Sequence, residues 1–244
     1  MLNINSRNDA GKWRMPLFAV CSLLLGACAT TNVQQIDRLG HVGEKPRILL
    51  MPPDIKYYLL TAGGVPEPNA EWTKAAGENF TEAVVNYADA IGTDLTLLDK
   101  RNMSPTEIQY EELYSAVGFT IINNHFGPWK LPSKNGQFDW SLGPGISEIG
   151  EQHGADYALF VYYRDYQASG GRVAFAILAA AAGAATSVGS ESGFASLVDL
   201  KTGDVVWFNN VAAGSGELRN KDGAATAVNA LFKDIPRYAP PEEQ

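Results

Sequence analysis

The sequence predicts a single α/β domain with a mixed β-sheet flanked by helices, over residues 45–236. Short apolar runs alternate there with segments whose apolar residues recur every three or four positions, the patterns of strands and helices. The run 157–163 is apolar or aromatic throughout, which is typical of a central strand covered on both faces. Two further runs flank the tight-turn sequence 201–204 and predict a hairpin. Phe160 and Trp207 are expected on neighbouring strands, beneath the helices.

The first half of the domain predicts a strand, a loop and a helix. The apolar run 47–51 predicts a buried strand that stops at the following proline pair. Residues 57–68 are rich in Gly and Pro and are expected to form a loop. A helix should begin after Asn69, whose side chain can cap it, and end at Gly92.

The second half continues the alternation. Residues 95–98 predict a second strand, and Ser-Pro-Thr-Glu at 104–107 has the capping-box pattern of a helix start, with Pro at the first helical position. A short third helix is expected over 144–153 and a last helix over about 220–234.

Composition excludes several classes of protein. The chain has 244 residues, 19 Lys+Arg and 27 Asp+Glu, a net charge of −8, which disfavours nucleic-acid binding. Two cysteines cannot build a disulfide framework, and the three histidines show no metal-ligand spacing. No phosphate-binding loop is present, and the Gly-rich stretch 189–193 has Glu where a nucleophile elbow has Ser. We therefore assign no catalytic residue, metal or cofactor, and expect no enzyme.

Residues 1–27 predict a leader that is removed from the mature protein. Three basic residues precede the apolar run 17–25, which is too short to cross a bilayer. The run closes with Leu25-Gly26-Ala27-Cys28, which resembles the lipobox of bacterial lipoproteins. The resemblance implies that the signal peptidase recognises Leu25, Gly26 and Ala27 and that Cys28 is lipidated. An ordinary secretory signal with a chance cysteine, or a short anchor helix, remains the alternative.

The lipobox resemblance also implies a location. Ala29 follows the cysteine where an Asp would retain a lipoprotein in the inner membrane, which favours the outer membrane and a periplasmic orientation. Residues 28–44 are mostly polar and are expected to be a flexible lipidated tether, and residues 237–244 a polar tail. Because the leader holds three basic residues and one acidic residue, the mature side chains sum to about −10.

Two segments of the domain resemble a family of bacterial envelope proteins. Gly154-Ala155-Asp156 opens the central strand, and the hairpin reads Ala-Ser-Leu-Val-Asp-Leu-Lys-Thr-Gly-Asp-Val-Val-Trp over 195–207. This pattern resembles the group that includes the curli secretion channel lipoprotein, the lipoprotein activators of penicillin-binding proteins and the TolB amino-terminal domain. The resemblance implies the fold and an envelope location, but not one activity, because the group hosts channels and activators alike.

An Ala-rich insert at 172–189 separates the central strand from the hairpin. Its core, residues 173–185, carries no charge, and as a helix of about 20 Å it is too short to span a bilayer. Small residues recur every fourth position and would permit close helix–helix contact. These residues are Ala176, Ala180 and Ala184, with Gly183 in a second such pair. We expect a helix that mediates self-association or membrane contact; a segment buried in the domain's own core is the alternative.

The loop 126–143 holds two tryptophans, Trp129 and Trp140, which either contact a partner or close the end of the core.

Together these features favour a non-catalytic, lipid-anchored interaction module of the envelope. It would attach to the membrane through Cys28 and bind an unidentified envelope protein. One alternative is an oligomeric secretion or transport component that contacts the membrane through 173–185. An envelope enzyme with an unrecognised site is the other.

Overall fold

The computed structural model describes residues 31–39, 45–91, 93–212 and 214–238. The predicted leader, including Leu25, Gly26 and Ala27, lies outside the described residues, as do Cys28, His41 and Gly92. The described chain forms one mixed sheet between two helical layers, which confirms the predicted fold class.

The sheet contains eight strands among the described residues. They are β1 (Thr31–Gln34), β2 (Arg47–Leu50), β3 (Asp54–Leu60), β4 (Pro66–Pro68), β5 (Asp94–Leu97), β6 (Tyr157–Ala168), β7 (Gly189–Asp199) and β8 (Val205–Ala212). Their order is β1-β8-β7-β6-β2-β5, and β3 pairs with β6 beyond β2. β6 is parallel to β2 and β3 and antiparallel to β7, so the long strand is central, as predicted.

The helices cover both faces of the sheet. They are α1 (Ala70–Ala90), α2 (Pro105–Ile121), α3 (Ser147–His153), α4 (Gly170–Ala181) and α5 (Lys221–Leu231). The predicted N-cap at Asn69 is confirmed, since its side chain accepts a hydrogen bond from the Trp72 N–H at 3.0 Å. The capping box is also confirmed: Ser104 Oγ accepts from the Glu107 N–H at 3.2 Å, and the Glu107 carboxylate accepts from the Ser104 N–H.

The segment 57–68 differs from the predicted loop. Its first residues belong to β3, which runs parallel to β6 from Asp54 to Leu60, and a short turn leads into β4. β2 ends at Leu50, just before Pro52 and Pro53, as predicted, and β3 then pairs with the same side of β6. Gly63 and Gly64 lie in the turn at 61–65, whereas Pro66 and Pro68 belong to β4.

Two apolar cores lie on opposite faces of the sheet. α1 and α5 cover one, which holds Trp207 at 0% exposure, and α2, α3 and the loop after α2 cover the other, which holds Phe160 at 1%. The expectation that these two residues sit on neighbouring strands is wrong: β7 separates β6 from β8. Because side chains alternate along strands, residues two strands apart can face opposite cores.

Part of the expected tether is built into the domain. Thr31–Gln34 pairs antiparallel with β8, the Gln35 N–H donates to the Val206 carbonyl at 2.9 Å, and Leu39 is 2% exposed in the α1/α5 core. Arg237, expected to start the polar tail, accepts through its carbonyl from the Leu39 N–H at 3.2 Å. Residues 31–34 thus form an edge strand, because the outer side of β8 offers unpaired backbone groups.

Candidate interaction surface

The Ala-rich insert forms helix α4, which links the ends of β6 and β7. Ser169 caps it by accepting a hydrogen bond from the Arg172 N–H at 3.2 Å, and the helix ends at Ala181. The prediction of a helix over 173–185 is therefore confirmed as far as residue 181. Gly183 follows with φ +80°, a conformation that stops the helix and favours glycine.

No residue of α4 is buried. The exposed fractions of its large apolar side chains rise along the helix, from 41% for Val173 and 49% for Phe175 to 65% for Ile177 and 72% for Leu178. A helix that packed into its own core would bury one apolar face, so the alternative of a core element is wrong. Ala176 is half-buried, whereas Ala180, Gly183 and Ala184 are exposed.

Two neighbouring segments extend this surface. The turn at 61–65 presents Val65 at 61% exposure, and the chain after α4 presents Val188 at 54%. Arg172 joins the three segments, because its Nε donates to the Ser187 carbonyl at 2.9 Å and its guanidinium packs against Gly64. We call residues 61–65 together with 170–188 the apolar tip. Arg172 is the single charged residue in its sequence.

The two tryptophans of the loop after α2 have separate roles. Trp129 is 70% exposed and stays available to a partner. Trp140 is 9% exposed and packs in the core beneath α2 and α3, so its expected place on an interaction surface is wrong. A tryptophan that buries this much apolar area stabilises the domain rather than contacting a partner.

The loop and the apolar tip lie at opposite ends of the sheet. Trp140 accepts through its carbonyl from the Val205 N–H at 2.9 Å, and the Leu142 N–H donates to Gly203 in the β7–β8 turn. The tip adjoins the other end of β7, which has eleven residues and so spans about 35 Å. The predicted surface residues therefore do not form one site.

A cluster of tyrosines and carboxylates fastens the strands beneath the tip. The Tyr163 hydroxyl donates to Glu191 Oε1 at 2.5 Å, and the Tyr57 hydroxyl donates to Glu217 Oε1 at 3.3 Å. Glu191 also accepts from the Ser215 N–H at 3.1 Å. These bonds tie β3, β6, β7 and the loop 214–219 together, so the tip stands on a rigid base.

Burial dominates the electrostatics of this cluster. It raises the pKa of both tyrosines, since removal from water disfavours their charged forms. Burial also raises the pKa of Asp165 to about 6, although the Gln167 amide donates to its Oδ1 at 2.7 Å. The hydrogen bonds from Arg219 hold the pKa of Glu217 below its usual value. The sequence reading missed this cluster, because its members are spread over 160 positions.

The described residues show no constellation for metal chemistry. None of their His, Cys, Asp and Glu side chains form a group of three or more that could hold a metal ion. A cleft of about 390 Å³ at the far end of the sheet carries mixed charges, including the exposed Arg47–Asp156 ion pair at 3.4 Å. Within the described chain, no helix has the length and apolarity to cross a membrane.

Comparisons with known proteins give neighbours in structure. No family model matches the chain, and no curated protein matches it in sequence. A PelC dodecamer from Paraburkholderia phytofirmans has a TM-score of 0.39 and 12% identity, covering 83% of this chain and 96% of that one. Lipoprotein GNA1162 from Neisseria meningitidis has a TM-score of 0.35 and 13% identity, covering 78% and 97%. The LpoB C-terminal domain from Salmonella enterica has a TM-score of 0.28 and 13% identity, covering 70% and 84%.

At 12–13% identity and TM-scores of 0.28–0.39, we transfer no partner, assembly or activity from these neighbours to this chain.

Proposed function

We propose that the protein is an outer-membrane lipoprotein that is anchored through acylated Cys28, faces the periplasm and acts without catalysis by binding other envelope components. The leader and the Leu25–Cys28 sequence support the anchor. Two or three acyl chains on one cysteine hold a protein stably to a bilayer, at about 0.8 kcal/mol per buried CH₂.

The observation that carries the interaction role is the apolar tip. Leu178 and Ile177, at 72% and 65% exposure, stand in a helix that contributes no side chain to either core. A group of exposed large apolar side chains of this kind marks a site that another molecule covers. The rigid base beneath it supports the same interpretation, since a fixed surface binds at a lower entropic cost than a mobile one.

A second candidate is an oligomeric secretion or transport component. The exposed small residues Ala180 and Ala184 favour it, because such positions let two helices approach closely. The interaction module remains the better-supported function. A helix–helix contact through small residues does not need large exposed apolar side chains, and α4 exposes several of them.

The lipid anchor is tested by Cys28→Ser in the full chain, expressed in a Gram-negative host. We expect no palmitate incorporation and an unprocessed precursor, because serine has no thiol to accept the diacyl group. Cys21→Ser is the matched control, since Cys21 lies inside the apolar run of the leader and its loss should leave processing intact. For both variants, intact mass spectrometry measures processing and acylation, and density fractionation measures attachment to the membrane. Cleavage at another site, with an unmodified Cys28, would overturn the proposal.

A further inference from the structure

The register of the sheet fixes the side from which the chain reaches the domain. Thr31 pairs with Asn210, Asn210 with Phe194, and Phe194 with Tyr162, so Thr31 lies level with the middle of β6. β1 is antiparallel to β8, and β8 runs in the same direction as β6. The amino end of β1 therefore lies towards the same side of the sheet as the carboxyl end of β6, where α4 begins. The chain therefore enters the sheet from the side of the apolar tip.

The short distance in sequence between Cys28 and Thr31 limits where the bilayer lies. Three residues reach at most about 11 Å when fully extended. β6 continues for six residues from Tyr162 to Ala168, about 20 Å, before α4 begins. The apolar tip thus extends roughly 10 Å further along the strand direction than Cys28 can reach, and a bilayer that holds the acyl chains meets the tip.

The composition of the tip suits this position. Its helix of twelve residues is about 18 Å long and so fits the plane of the interface rather than the bilayer thickness. Interfacial helices bury their apolar side about 5–10 Å deep, which matches the extension of the tip past Cys28. Arg172 supplies a positive charge for lipid phosphates, while the acidic remainder of the chain disfavours other orientations on an anionic surface.

We propose that the apolar tip docks into the interfacial region of the same periplasmic leaflet that holds the acyl chains of Cys28, as a second membrane contact that orients the domain. The inference rests on the proposed lipidation of Cys28. A second copy of the chain is a weaker occupant, because the outer face of α4, about 18 Å by 10 Å, supplies only a small part of the roughly 800 Å² per partner that stable interfaces bury.

Site-specific fluorescence tests the proposal in the acylated full-length protein. Its two cysteines are Cys21, which processing removes, and Cys28, which acylation blocks, so Leu178→Cys introduces the one reactive thiol for an environment-sensitive dye. The protein is reconstituted in phosphatidylethanolamine–phosphatidylglycerol vesicles, with and without doxyl-labelled lipid. Lys201→Cys, exposed in the β7–β8 turn at the far end of the sheet, is the matched control.

We expect the dye at position 178 to shift to the blue and to be quenched several-fold by doxyl lipid, while the dye at 201 stays in water. Adding Phe175→Ser and Ile177→Ser should return the dye at 178 to water without lowering the melting temperature, because both side chains are exposed. A dye at 178 that behaves like the one at 201, in protein whose mass shows acyl groups, overturns the proposal. Efficient disulfide formation between unlabelled copies at 178, in vesicles and in detergent, would instead identify a second copy as the occupant.

Failure of the lipid anchor gives a different result. Intact mass would then show no acyl groups, and the unlabelled protein is sedimented with the same vesicles. If this protein sediments with the vesicles and Phe175→Ser with Ile177→Ser abolishes the binding, the docking of the tip holds without the lipid anchor. If the protein does not sediment with the vesicles, the docking of the tip is refuted together with the anchor.

Discussion

Arg164 and Asp165 are adjacent in β6, and their side chains place opposite charges on opposite faces of the sheet. The guanidinium of Arg164 bonds Asp54 Oδ2 at 2.5 Å and lies 3.9 Å from the Tyr162 ring centroid. Asp165 points to the opposite face, where it is 2% exposed among Tyr57, Glu191 and Glu217. On one face, the ion pair between Arg164 and Asp54 offsets the cost of removing both charges from water. On the other face, the neighbouring carboxylates add to the cost of burying Asp165.

Asp165→Asn should therefore stabilise the protein at neutral pH. Because burial raises the pKa of Asp165 to about 6, above the unfolded value of 3.8, its charge destabilises the folded state above that pH. Below pH 4 the carboxyl is neutral in both the folded and the unfolded state, and as the pH rises from 4 through 6 it ionises first in the unfolded state, so the free energy of unfolding falls over that range. We expect the variant to gain up to about 3 kcal/mol at pH 7.5 and nothing near pH 4.

Urea unfolding at several pH values measures this difference. Asp54→Asn is the control with the opposite sign, because it leaves the buried Arg164 without its carboxylate and should lower stability at pH 7.5. If Asp165→Asn proves less stable than the parent at pH 7.5, the carboxylate is stabilised by contacts that outweigh burial.

At the scale of elements, the signals that lie close together in sequence predicted the structure. Asn69, the Ser104–Glu107 box and Gly154, whose φ is +59°, each mark a helix end through contacts within a few residues. β1 escaped prediction because Thr-Asn-Val-Gln carries one apolar residue and pairs with a strand about 175 positions later. β3 escaped because the prolines and glycines around it indicate a loop.

The candidate interaction surface was also predictable only where its signals are local in sequence. The sequence predicted a helix in the insert from its Ala-rich composition, and a position outside the core from the small apolar area that alanines contribute. It did not distinguish Trp129 from Trp140, because burial depends on contacts with β8 that no local pattern encodes. Val65 joined the tip only through Gly64 and Arg172, which lie far apart in sequence.

Helix α2 packs so closely on the sheet that one of its residues must lack a side chain. A Cβ at Gly118 would lie 2.1 Å from Phe194 Cε2, whereas a Cβ at Gly77 in α1 meets nothing within 4 Å. Gly118→Ala should cost about 1–3 kcal/mol by overpacking, despite the better helix propensity of Ala. Gly77→Ala, the matched control, should gain up to about 1 kcal/mol.

Thermal melting of the two variants separates packing from propensity. Opposite shifts are expected, downwards for Gly118→Ala and upwards for Gly77→Ala. Equal upward shifts would mean that α2 can move away from Phe194 at little cost, and that the second core is looser than its buried side chains indicate.

For the molecule as a whole, the point at which the domain begins would decide how the proposed lipid-anchored protein sits on its membrane. If residues 28–44 were a free tether, the body could take any orientation within about 55 Å of its lipid. With Thr31 already in the sheet, two residues, Ala29 and Thr30, separate the proposed anchor at Cys28 from the fold. The same strand therefore contributes to stability and, under the proposed lipidation, sets the distance between the bilayer and the apolar tip.

A chain that begins at Lys45 should accordingly be less stable than one that begins at Ala29. It lacks the pairing of β1 with β8 and the burial of Leu39, whose replacement by Ala alone should cost about 2–4 kcal/mol. Urea unfolding followed by tryptophan fluorescence reports the loss, since Trp207 is buried in the same core. We expect the stabilities to fall in the order parent, Leu39→Ala, shortened chain. If all three unfold within about 0.5 kcal/mol of one another, residues 31–39 are a tether after all. Cys28 would then lie too far from the body for its position to place the apolar tip against the bilayer.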